Sequence, residues 1–158
     1  MWYFKIILLI VFFTVFYQDF SSRLVYWFLY PLIGILAFAI QLYNLPITIV
    51  FLNFGINLLF ITLILAVSYL YVKYRNLDFK SAIGIGDILF FVFISCTFSI
   101  VSFLILFVFA LLFSLILHIV LSNKKEQQTV PLAGYMSFFF AVVYVITFCC
   151  ESNFLYVY

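Results

Sequence analysis

The chain has 158 residues, of which 70% are hydrophobic and 8% charged, with 24 Phe and 12 Tyr. A soluble domain carries about a quarter charged residues and could not cover its surface with so few, so that class is excluded and the bilayer is the expected solvent. A formal net charge of +2 suggests neither a nucleic-acid binder nor a polybasic peripheral protein.

At about 20 residues per helical crossing there is room for roughly six spans in one domain covering residues 1–158. Backbone groups in lipid must be paired within helices or closed barrels. Barrel strands alternate apolar and polar residues over about ten positions, whereas residues 56–72 and 103–120 are apolar nearly throughout. The expected fold is therefore all-α, a polytopic membrane protein of six transmembrane helices.

The first predicted span covers residues 2–17. It carries only Lys5 and has no small-residue cleavage pattern, so it reads as retained. Gln18, Asp19, Ser21, Ser22 and Arg23 stop it. A second span, 24–42, ends at Tyr43, Asn44, Leu45 and Pro46, which supply turn chemistry. A third covers 47–72 and runs into the most charged stretch, with Lys73, Arg75, Asp78 and Lys80. Residues 83–121 are then apolar for about 39 positions, roughly 58 Å as one helix and about twice the hydrocarbon thickness. That run must fold back. The predicted turn is the small, hydroxylated patch Ser95, Cys96, Thr97, Ser99 and Ser102, giving a fourth and a fifth span. A polar loop, 122–129, leads through Pro131 and Gly134 to a sixth span at 135–150, followed by Glu151 and Asn153.

On this map the loops after spans one, three and five hold Arg23, Lys73, Arg75, Lys80, Lys124 and Lys125, and the other side holds only Lys5. The positive-inside rule puts those loops in the cytoplasm and both termini outside. Miscounting one span would break the segregation. Asp19, Asp78, Asp87 and Glu126 fall on the same cytoplasmic side.

Two of these acids occupy expensive positions. Asp19 closes the first span, and Asp87 enters an apolar run that continues through Ile88, Leu89, Phe90, Phe91 and Val92. Asp at a helix centre costs about 2.5 to 3.5 kcal/mol on insertion scales, and less near the interface. Asp87 follows Gly84 and Gly86, which weaken a helix start and permit close approach of another chain. The bland readings are that Asp87 caps its own helix and that Asp19 pairs with Arg23 one turn on. Neither explains two acids at one membrane edge in separate spans. Two carboxylates sharing a site hold one proton between them. The ionised member can then activate water as general base while the protonated one polarises a scissile carbonyl.

The quartet Gly84-Ile85-Gly86-Asp87 resembles the GxGD signature of membrane aspartyl proteases, and within that group the chain looks most like the type IV prepilin peptidase catalytic domain. In that family the first catalytic Asp ends a span and is followed at about the fourth position by a basic residue, as Asp19 and Arg23 are here. Val130-Pro131-Leu132-Ala133-Gly134-Tyr135 resembles its apolar, Pro-containing entry to the last span. The chain differs at Val25-Tyr26-Trp27, where the family commonly has Ile-Pro-Asn, and at Leu89, where a Lys is common. The resemblance covers essentially the whole chain. It implies catalytic Asp19 and Asp87, with Gly84, Gly86 and Arg23 shaping the site. The implied substrate is a single-span prepilin-like membrane protein cut at the cytoplasmic face, with no metal and no organic cofactor. The zinc-type cysteine region of the bifunctional members has no counterpart, so methyl transfer is not expected.

Other residues read as structural. Cys96, Cys149 and Cys150 form no paired metal motif and are expected to pack. His118 reads as a buried, hydrogen-bonded side chain, and Asn53 and Asn57 as interhelical hydrogen-bonding groups. Lys124 and Lys125 read as topology determinants against anionic headgroups. The alternative function is a catalytically inactive small membrane scaffold or assembly subunit, with Asp19 on Arg23 and Asp87 as a cap. A transporter is a third reading, without the discontinuous repeats that would support it.

Overall fold

A computed structural model describes residues 2–75, 84–121, 131–149 and 155–156, the side chain of Cys149 excepted. Within them the chain is helical, with no strand: α1 (Trp2–Ser22), α2 (Leu29–Asn44), α3 (Ile47–Tyr74), α4 (Ile85–Ile94), α5 (Ile100–Leu121) and α6 (Leu132–Cys149). The expectations for Asp78, Lys80, Lys124, Lys125, Glu126, Cys150, Glu151 and Asn153 lie outside the described residues.

Helices stand where the apolar runs are, with informative differences at their ends. Three of them, α1, α3 and α5, are long and apolar enough to cross a membrane. α1 continues past residue 17 to Ser22, because the hydroxyl of Ser22 bonds back to the Gln18 carbonyl at 3.0 Å and carries the helix through Asp19. α2 starts at Leu29 rather than residue 24. The Gln18 side chain accepts the Tyr26 amide at 3.1 Å, which pins residues 23–28 as a connection. The long run 83–121 does turn at residues 95–99, but unequally. α4 has 10 residues, about 15 Å and half the hydrocarbon thickness, and α5 has 22. Above the turn lies the second described piece of the C-terminal region. The Ser99 amide and hydroxyl donate to the Leu155 carbonyl at 3.3 and 3.1 Å, and the Tyr156 ring lies 6.1 Å from that of Phe98.

α6 is the central helix, touching α1, α5 and α4, while α2 links α1 to α4 and α3. Ring pairs fix α1 antiparallel to α6: Trp2 meets Phe148, Phe12 lies between Phe140 and Tyr144, and Phe16 meets Phe138. Such pairs contribute about 0.5 to 1.5 kcal/mol each beyond area burial. The outward faces are apolar as well: Leu59, Leu63, Val67 and Leu70 on α3, and Leu112, Leu115 and Ile119 on α5, are exposed. That surface suits hydrocarbon rather than water.

Candidate active site

The first turn of a helix leaves its amides without intrahelical partners and carries a partial positive charge. α6 begins just after Pro131, and two of its early amides are taken by side chains from elsewhere. Asp19, in the last turn of α1, accepts the Gly134 amide on Oδ2 at 2.6 Å; Asp87, in the first turn of α4, accepts the Ala133 amide on Oδ1 at 2.9 Å. Consecutive amide nitrogens in a helix are about 3 Å apart, so with bonds of 2.9 and 2.6 Å the two accepting oxygens lie within about 8.5 Å of each other. Residues 68 positions apart in sequence thus share one helix end. Asp19 is buried and Asp87 half-buried.

Backbone proximity makes this possible. A Cβ on Gly134 would stand 2.9 Å from both Cβ and Oδ2 of Asp19, so only glycine lets α1 come this close. A Cβ on Gly86 would stand 2.8 Å from the hydroxyl of Tyr30. No glycine among the described residues has positive φ. At Gly86 the missing side chain therefore provides space rather than an unusual turn. Gly84 is extended, and its carbonyl accepts the amides of Asp87 and Ile88 at 3.1 and 3.3 Å to open α4.

The bland readings are present in part. Asp87 is the third residue of its helix, and its Oδ2 would stand 3.2 Å from a Cβ on the N-cap residue Gly84, so the carboxylate also lies over the start of its own helix. The same side chain nevertheless reaches across to α6 with its other oxygen. Arg23 lies beyond α1 at φ 55, the left-handed conformation that often ends helices, and its amide donates to the Asp19 carbonyl at 3.2 Å. Its positive charge acts on Asp19 and on Tyr135 through space.

Sequence reasoning missed Tyr30. It enters from α2, is buried, and lies within electrostatic reach of both Asp19 and Asp87. No signal in the sequence sets it apart, since it is one of twelve tyrosines. Ser137 is a second omission; its hydroxyl donates to the Gly134 carbonyl at 2.7 Å and braces the same turn.

The other candidates sit apart from this cluster. The Asn57 side chain donates to the carbonyls of Ser95 and Phe98 at 3.0 and 3.1 Å, tying α3 to the α4–α5 turn. Cys96 is a free, half-buried thiol in that turn. His118 is half-buried on α5 with Nδ1 lacking a hydrogen-bond partner. Among the described residues no three His, Cys, Asp or Glu side chains assemble into a metal site. A scan against protein-family models and searches of curated proteins and of solved structures find no match to this chain.

Proposed function

We propose that the chain is a membrane-embedded aspartyl endopeptidase with Asp19 and Asp87 as its catalytic pair. The observation that carries this reading is the meeting of two carboxylates, from helices far apart in sequence, on consecutive amides of one helix end. Held there, one carboxylate takes a proton from water as that water attacks the scissile carbonyl. The other, protonated, gives its proton to the carbonyl oxygen to form a gem-diol; as the C–N bond breaks, the first acid passes its proton to the amine nitrogen and the second takes one back from the diol hydroxyl. Tyr30 stands beside both acids and supplies a further hydroxyl donor toward the bound peptide.

In the same reading all six helices belong to a bundle in the inner cell membrane with the acid end in the cytoplasm and both termini outside. The segregation of Arg23, Lys73, Arg75, Lys80, Lys124 and Lys125 from Lys5 supports that orientation. The substrate is then a single-span protein of the prepilin or pseudopilin kind whose leader lies in the cytoplasm. The resemblance of residues 84–87 and 130–135 to the prepilin peptidases supports that choice.

One observation favours a second reading, an inactive scaffold: both acids also satisfy amides that any buried helix end must satisfy. Asparagine separates the two, because its carbonyl oxygen still accepts the amide but cannot exchange a proton. In lipid reconstitution with a panel of leader-bearing substrates, Asp19→Asn and Asp87→Asn are expected to retain fold and lose cleavage. Cleavage persisting in both variants would overturn the proposal.

A further inference from the structure

The one positive residue on the far side of the predicted topology, Lys5, is buried in the α1–α6 interface. Its ammonium donates to the Thr147 hydroxyl at 3.2 Å and to the Thr147 carbonyl at 3.3 Å, and lies 5.6 Å from the centre of the Phe148 ring. The Thr147 hydroxyl in turn donates to the Tyr144 carbonyl at 2.7 Å. These are the last turns of α6, where carbonyls lack helical partners and the dipole favours a cation. α1 therefore grips α6 at both ends with opposite charge: an acid on the first turn, through Asp19, and a base on the last, through Lys5. Lys5 and Asp19 are about 21 Å apart along α1, matching the span of α6 between Gly134 and Thr147.

Apolar packing between helices in lipid gains nothing from the hydrophobic effect, since acyl chains are as apolar as Leu, so polar contacts weigh more in fixing how far one helix slides along another. A slip of one turn, about 5.4 Å, would break the Lys5 contacts and carry Asp19 off the Gly134 amide. We propose that Lys5 is a positioning residue: by holding the end of α6 it sets the α1–α6 register that keeps Asp19 beside Asp87. Its consequence for cleavage rests on the proposed role of Asp19, whereas the register does not.

Disulfide trapping reads the register directly. In the full chain carrying Cys96→Ser, Cys149→Ser and Cys150→Ser, Phe16→Cys is paired either with Phe138→Cys, whose rings are 5.0 Å apart in the native register, or with Val142→Cys, one turn away. Lys5→Met is expected to cut the 16–138 yield severalfold and raise the 16–142 yield. Thr147→Val should do so less strongly, and Lys5→Arg should keep the native pattern. An unchanged 16–138 yield in Lys5→Met overturns the proposal; should that variant fail to fold, an unchanged yield in Thr147→Val does so. Cleavage is followed in parallel. A shifted register with unaltered kcat overturns the positioning role, whereas a shifted register in a chain that cleaves nothing supports the register and counts against the proposed function alone.

Discussion

At the α4–α5 turn, one neutral side chain, Asn57, satisfies two backbone carbonyls at 3.0 and 3.1 Å. At the start of α6, two acids satisfy two backbone amides at 2.9 and 2.6 Å. Both regions answer the same demand, that buried helix ends find hydrogen-bond partners. The chemical solutions differ. Asn and Ser serve about as well as Asp at helix N-termini, and placing an acid in apolar surroundings costs about 2.5 to 3.5 kcal/mol at full depth. The Asn57 region shows that this fold can close a helix end without charge. At α6 each carboxylate takes one amide, and on the proposed function the pair also serves proton transfer.

Substitutions at the two regions should therefore separate activity from stability. The largest effect is expected at the acid end. Gly134→Ala drives a methyl group into Asp19, with no flexible side-chain tip to yield at its Cβ, and should destabilise the protein by about 1 to 3 kcal/mol. It should also remove most of the cleavage, as a melting curve and a rate measured on the same preparation would show. Asn57→Ala leaves the Ser95 and Phe98 carbonyls unpaired. It should cost a similar 1 to 3 kcal/mol or so of stability, with kcat per folded molecule unchanged. A fall in kcat there would erase the distinction between the regions.

Smaller effects sharpen the contrast. Tyr30→Phe removes only the hydroxyl beside the acids. It should lower kcat about tenfold, equivalent to about 1.4 kcal/mol of barrier, while shifting the melting temperature little; an unaltered kcat would remove Tyr30 from the site. Gly55→Ala adds a methyl group to an exposed position with nothing within 4 Å. It should stabilise α3 by up to about 1 kcal/mol through helix propensity and leave cleavage alone. Gly55 and Gly134 then become opposite outcomes of one substitution, decided by what stands next to the glycine.

Much of this architecture is legible in the sequence because apolarity is. Long apolar runs become helices, and the hydroxylated patch 95–99 becomes a turn because its polar groups bond locally, Ser95 to the Val92 carbonyl and Thr97 to that of Ile94. The shortness of α4 is not legible, since a continuous apolar run does not reveal that Phe98, Leu155 and Tyr156 fill the space above it. Asp19 and Asp87 stand out as acids among Phe and Leu, and Gly86 through its motif. Tyr30 does not stand out among twelve tyrosines, because its distinction is the helix end it faces. The pairing of Lys5 with Thr147, 142 residues away, is invisible for the same reason.

The central claim is that Asp19 and Asp87 act as one unit. The most direct test is a kinetic cycle on a cleaved leader-bearing substrate, comparing Asp19→Asn, Asp87→Asn and the double variant, each verified to keep native helicity. Groups that work as a unit are grossly non-additive. The account predicts that either single substitution already costs nearly the full loss, so that the double variant is no slower. Losses that multiply, or a single variant that retains most of its activity, would contradict it.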